Sequence, residues 1–109
     1  FARNKTYRSP RALFEQTAAC APANPRAQFL LGMTCLQERD YRASREAFER
    51  VLALTDSPGA HTALGDISRA EGDGEEARRR YSRARRLQPD WDRVYPNARA
   101  FLEEGPSTR

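Results

Sequence analysis

The chain has 109 residues, 39% hydrophobic and 31% charged, with 19 basic against 15 acidic side chains and a formal net charge of +4. That length suits one domain, and no apolar run approaches the roughly 18 residues a membrane-spanning helix needs. A single histidine and two cysteines are too few for a spaced metal-ligand set, and Lys5 as the one lysine is an arginine skew that reads as a GC-rich, bacterial composition.

The chain begins with Phe1 rather than Met and shows no signal peptide, and it is expected to be either a trimmed piece or a mature fragment of a longer protein. From Pro10 to Cys20 a helix is expected, and Phe14, Thr17, Cys20 and Pro22 match in weaker form the second helix of the repeat whose two full copies follow. The next helix starts at Pro25, behind Asn24 as its N-cap, and carries Phe29, Leu31 and Cys35 at helical spacing. After a break at Arg39-Asp40, a further helix carries Ser44, Phe48, Val51 and Leu52. Ser57 and Pro58 repeat the cap and first turn, followed by His61, Leu64 and Ser68. Beyond the break Gly72-Asp73-Gly74 come Ala77, Tyr81 and Ala84, with Asp73 and Glu76 spaced as a capping box. A last helix is expected over residues 92–104 through Tyr95, Ala98 and Leu102. Pro96 removes a backbone donor within it, so that the helix kinks or restarts there, and Gly105-Pro106 ends it.

Residues 25–57 laid on residues 58–90 coincide at nine positions: Pro25/Pro58, Ala27/Ala60, Leu31/Leu64, Gly32/Gly65, Glu38/Glu71, Asp40/Asp73, Arg45/Arg78, Arg50/Arg83 and Leu54/Leu87. A period near 33 to 34 residues with two helices per copy predicts stacked helix pairs. Leu31-Gly32, Cys35, Ser44 and Phe48 in one copy, and Leu64-Gly65, Ser68, Ala77, Tyr81, Ala84 and Pro89 in the other, resemble the tetratricopeptide repeat motif. Copy one departs from it at Gln28 and Asp56, both near helix ends.

The resemblance implies an all-α fold, a right-handed solenoid of antiparallel helix pairs with about six helices in this length. The single domain 1–109 would then divide into the second helix of a partial repeat (10–22), repeats at 25–57 and 58–91, a first or capping helix at 92–104 and a tail at 105–109. Gly32, Gly65, Ser44 and Ala77 are small because paired helices approach closely there. Leu13 and Phe14 at one end, and Tyr95, Phe101 and Leu102 at the other, call for a cover: residues 1–9, more of a longer protein, or a second copy through self-association of an array end.

Catalytic arrangements are not expected. The chain has no Gly-rich phosphate loop and no nucleophile elbow. Adjacent carboxylates such as Glu75-Glu76 and Glu103-Glu104 point apart on a helix. No cofactor or metal is expected either. Cys20 and Cys35 read as buried thiols in packing positions, a disulfide requiring their backbones within about 7 Å. His61 reads as a half-buried packing residue.

What remains is partner binding. The resemblance implies that the first helix of each pair lines a concave groove. The helical phase opposite the packing residues assigns it Arg26, Phe29, Leu30, Met33 and Leu36 in copy one, Thr62, Ala63, Asp66 and Arg69 in copy two, and Arg93, Asn97 and Ala100 in the last helix. At Phe29, Met33 and Leu36 the alternative is cover by the preceding helix or by residues 1–9. The complementary ligand is a protein or peptide segment with an apolar anchor and acidic residues. Phe29, Met33 and Ala63 stand where a chaperone-tail clamp needs polar groups, and Asn97 replaces a basic residue, so that ligand is not expected.

The expected role is a non-catalytic scaffold or adaptor in a bacterial assembly, cytoplasmic or periplasmic. The alternative is the docking region of a larger enzyme, a transferase for example. A third reading is nucleic-acid binding by the basic surface Arg78, Arg79, Arg80, Arg83 and Arg86. It is disfavoured, because no aromatic platform is interleaved and the acids Glu71, Asp73, Glu75 and Glu76 lie just ahead.

Overall fold

The structure, a computed structural model, describes residues 10–104 and is all-helical over them. The tails at 1–9 and 105–109, and the cover that residues 1–9 were expected to supply, lie outside the described residues. Seven helices follow in chain order: α1 (Pro10–Cys20), α2 (Pro25–Gln37), α3 (Tyr41–Leu54), α4 (Pro58–Ala70), α5 (Gly74–Leu87), α6 (Trp91–Val94) and α7 (Pro96–Glu104). Among the described residues no helix is long and apolar enough to cross a membrane. Two compact units divide between Leu54 and Thr55, so that α1 to α3 belong to the first and α4 to α7 to the second.

The sequence period is also a structural one. The bounds of α4 and α5 are those of α2 and α3 advanced by 33 residues. Both turns are built alike. In the first, the amide N–H of Arg39 donates to the carbonyl of Leu36 at 3.0 Å and that of Asp40 to Cys35 at 2.9 Å. In the second, Gly72 donates to Arg69 at 3.1 Å and Asp73 to Ser68 at 2.8 Å. These are paired Schellman closures, which need a residue of positive φ just past the helix. Gly72 supplies it at φ 88°, whereas Arg39 takes φ 63° with a side chain attached. Left-handed backbone costs an ordinary residue about 1–2 kcal/mol, and glycine avoids that at some entropic cost in the unfolded chain. Arg39→Gly is therefore expected to stabilise the chain by up to about 1 kcal/mol. Chemical denaturation reads this directly, and a lower midpoint would contradict it.

The same two aspartates start the following helices. Asp40 Oδ1 accepts from the Ala43 amide at 3.3 Å, and Asp73 Oδ1 from the Glu76 amide at 3.1 Å. The reciprocal half of the expected capping box is missing. The Asp73 amide is already donated to Ser68, and the Glu76 carboxylate binds Arg79 and Arg80. Asn24 and Ser57 cap α2 and α4 as expected, accepting from Arg26 N at 3.0 Å and Ala60 N at 3.2 Å.

In the first unit, Ala18, Ala27, Leu31, Cys35 and Ala47 form a core with Phe14 and Ala43 packed against it. Ser44 is fully buried and donates its hydroxyl to the Gly32 carbonyl at 2.8 Å, so the polar group costs little there. In the second, Ala77, Tyr81, Ala84, Trp91 and Ala98 pack with Tyr95, Phe101 and Leu102. Each pair closes over its glycine. A Cβ on Gly32 would lie 2.8 Å from the Phe48 ring, and one on Gly65 would lie 2.5 Å from that of Tyr81.

Three expectations need correction. Of the kink or restart expected at Pro96 the structure has the restart, which raises the count from about six helices to seven among the described residues. The segment splits at Tyr95, because Pro96 has no N–H to continue the ladder and instead opens a new helix. On α1 the packed face is Phe14 and Ala18, not Phe14, Thr17 and Cys20. Thr17 is exposed and turns its hydroxyl back onto the Leu13 carbonyl at 2.9 Å. Cys20, the last residue of α1, is exposed, while Cys35 is buried at the core, and both thiols are free.

Candidate functional site

On α2 the core face is Ala27, Gln28, Leu31, Gly32 and Cys35. Helical geometry sends Arg26, Phe29, Leu30, Met33 and Leu36 to the other side. Arg26 and Met33 are exposed, Met33 at 38%, and Phe29, Leu30 and Leu36 are half-buried. Phe29 has a structural share as well, its ring meeting Phe48 edge-on at 5.2 Å. The first unit thus presents an apolar strip flanked by one cation.

In the second unit a cleft of about 530 Å³ brings together Asp66 and Arg69 of α4 with Tyr95, Pro96 and Asn97 at the head of α7. Three assigned groove residues, Asp66, Arg69 and Asn97, meet there. Thr62 touches the cleft but is buried, its hydroxyl donating to the Pro58 carbonyl at 2.9 Å and accepting from the Trp91 indole N–H at 2.8 Å. It is therefore a structural group and offers a partner little, and Ala63 is buried too. Arg93 does not join the cleft. It sits exposed on the short α6, reaching Asp90 at 3.4 Å.

The cleft's electrostatics centre on Asp66, which accepts a short hydrogen bond from the Tyr81 hydroxyl. Desolvation raises the Asp66 pKa above the ordinary aspartate range, although the residue as a whole keeps an exposed edge. The Tyr81 bond and the Arg69 charge pull it back. Burial, then the Asp66 carboxylate, pushes the Tyr81 hydroxyl well up, so Tyr81 stays a proton donor. The Arg69 guanidinium lies 5.0 Å from the centre of the Phe101 ring. A carboxylate, a ring-seated guanidinium and the Asn97 amide suit recognition of polar or main-chain groups. No nucleophile-and-base pair stands among them.

The arginines of α5 are not equivalent. Arg78 donates to the carbonyls of Phe101 and Leu102 at 3.4 and 3.3 Å, closing the end of α7. Arg79 and Arg80 share Glu76 at 2.6 and 2.8 Å, and Arg85 meets Asp92 at 3.0 Å. Exposed pairs of this kind add little stability, but they occupy donors a nucleic acid would need.

His61 is buried rather than half-buried, at 7% exposure, with Nε2 3.2 Å from Asp56 Oδ1. Burial lowers its pKa below the usual 6.5 and the charges of Arg80 and Arg83 add to that, against the pull of Asp56. A folded pKa below the unfolded one means that the native state favours neutral imidazole. The resulting stability is fully present above about pH 6.5 and is lost as pH falls through the folded value. Stability is thus expected to drop between about pH 7 and 5. Asp66, with its raised pKa, opposes this only at the acidic end. Urea midpoints across that range should fall less steeply in His61→Phe, and equal slopes would remove His61 as the cause.

Trp91 and Tyr95 pack in the core of the second unit, yet the repeat pattern assigned Trp91 no role. Its signal was that it is the chain's one tryptophan, placed just after Pro89-Asp90. No family model matches the chain, and no curated protein matches it.

Proposed function

We propose that the chain is a non-catalytic, tetratricopeptide-like helical repeat that holds a partner protein through the first helix of each pair, as a scaffold in a bacterial assembly. One observation carries this reading. Met33 and Asp66 occupy the same place in the two copies, and both are exposed on a helix whose opposite face is core. Their neighbours one turn on, Leu36 and Arg69, also keep the same phase and stay open in part. Asp66 and Arg69 also make contacts inside their own unit, to the Tyr81 hydroxyl and the Phe101 ring, yet both keep exposed surface of matched phase for a ligand.

The chemistry of that ligand follows from the two faces. The strip of Leu30, Met33 and Leu36 fits an apolar anchor, and Arg69 with Asn97 fits carboxylates or main-chain groups. A random peptide library displayed against the chain is expected to select apolar residues accompanied by Asp or Glu. Met33→Asp should weaken the selected peptides about tenfold or more, as loss of a buried anchor does. Arg69→Glu should mainly slow association, and more so at low salt. Met33 is the better probe because, unlike Phe29, it has no ring contact to lose. Selection of basic peptides, or selected peptides indifferent to both substitutions, would refute the reading.

A further inference from the structure

Helix α1 is held at its two ends by different means. Its C-terminal end runs into α2 through the turn at residues 21–24, where the Ala21 amide donates to the Thr17 carbonyl at 3.0 Å and the Asn24 amide to that of Ala21 at 2.9 Å. Its N-terminal end is held by Arg11. That guanidinium reaches Glu15 on its own helix at 3.0 Å and, across to the turn between α2 and α3, Glu38 at 3.1 Å and Asp40 at 2.9 Å. Asp40 is fixed for the task, because its Oδ1 caps α3 while its Oδ2 meets Arg11.

Between these two ends the apolar seam is thin. Among the described side chains of α1 only Ala18 is buried, with Phe14 half-buried beside it and Leu13 turned half to solvent. An isolated exposed ion pair adds little, but one guanidinium on three carboxylates is a network, the case in which such pairs count. Beside α1 lies a cleft of about 450 Å³ whose lining joins Ala18 and Ala19 of α1, Leu31 and Cys35 of α2, and Ala43 of α3. Cys35 shares the core that Ala18 closes, is 1% exposed, and has its thiol pKa raised by burial, so it is poorly reactive while α1 is seated. The α2–α3 pair has closures of its own, the Phe48 ring over Gly32 and the Ser44 hydroxyl on the Gly32 carbonyl.

We propose that α1 is a hinged strap: it swings away about the turn at residues 21–24 when Arg11 releases Glu38 and Asp40, uncovering Cys35 while α2 and α3 stay paired. The latch is ionic and sits at the surface, so salt weakens it by screening. The apolar seam reseats the strap, because Phe14 and Ala18 regain cover only when α1 lies on α2. Opening of this kind is a local event, set by few contacts and independent of global unfolding.

The exposed Cys20 and the buried Cys35 supply control and reporter in one molecule. The whole chain is alkylated with N-ethylmaleimide under native conditions, and mass spectrometry follows each cysteine separately. Cys20 should react as a free thiol throughout and corrects for any effect of salt on the reagent. The Cys35 rate, relative to Cys20, should rise about threefold or more between about 50 and about 500 mM sodium chloride. In Arg11→Gln it should be high at either salt concentration, and Arg11→Lys should fall between, since lysine keeps the charge without the fork. Arg11 lies outside the core, so both variants keep the packing of α2 on α3. Low urea separates the strap from the whole fold: its opening exposes little surface, so Cys35 labelling should stay nearly flat below the unfolding transition. A Cys35 rate that climbs with urea as steeply as global unfolding, or one that is the same in Arg11→Gln as in the parent chain, would overturn the proposal.

Discussion

Trp91→Ala is expected to lower the unfolding free energy by about 3–5 kcal/mol, the usual cost of emptying a large aromatic site in a core. Trp91 is fully buried, with ring centres 5.9 Å from both Tyr81 and Tyr95. Its indole N–H donates to the hydroxyl of Thr62 on α4 at 2.8 Å, joining α6 to α4. Trp91→Phe would keep most of the ring packing and lose that hydrogen bond, so it should cost nearer 1 kcal/mol plus a modest cavity term. Urea denaturation followed by far-ultraviolet dichroism separates the two, since both variants remove the fluorescent reporter. A loss below about 1 kcal/mol for the alanine variant would show that the second unit closes without Trp91.

Gly65→Leu should cost about 1–3 kcal/mol or more by overpacking. A Cβ at Gly65 would already lie 2.5 and 2.6 Å from two ring carbons of Tyr81, distances no side chain tolerates. Tyr81 has no room to yield. It is fully buried, tied to Asp66 through its hydroxyl, and held between the rings of Trp91 and Phe101. Even Gly65→Ala should lose stability, although alanine is worth about 1 kcal/mol over glycine in a helix interior. Gly74 is the control: a Cβ there would meet only Phe101 Cζ at 3.8 Å, an ordinary contact, so Gly74→Ala should be near neutral or stabilising. Thermal melting that ranks Gly65→Leu with Gly74→Ala would contradict the close approach.

The two copies show why so much of the helix layout was legible. Caps, first-turn prolines, paired apolar spacing and small residues all recur at one interval, and each acts within a few residues of itself. Local rules were therefore enough to place α2 to α5. They failed on α1 because its packed face depends on which side of α2 it meets: Ala18 rather than Thr17 or Cys20 lies on that side. They also blurred the last segment, where Pro96 permitted either a kink or a restart and the packing around Trp91 selected the restart.

For the candidate site the same division holds. Exposure at Met33, Asp66 and Arg69 follows from helical phase, which the pattern reveals once the core face is known. Phase could not show that the Thr62 hydroxyl is taken up by Trp91, because that partner comes from another segment. Nor could it sort the arginines of α5, identical in type and adjacent in sequence, into those held by Glu76, by the carbonyls of α7, by Asp92 and by none of the described residues. The sequence by itself determined an all-helical chain with a repeat of two helices, because capping, periodicity and steric smallness are short-range. Only the tertiary structure decided which polar groups are spent on the fold and which remain for a ligand, because a hydrogen bond is consumed wherever a partner arrives, from whatever distance along the chain.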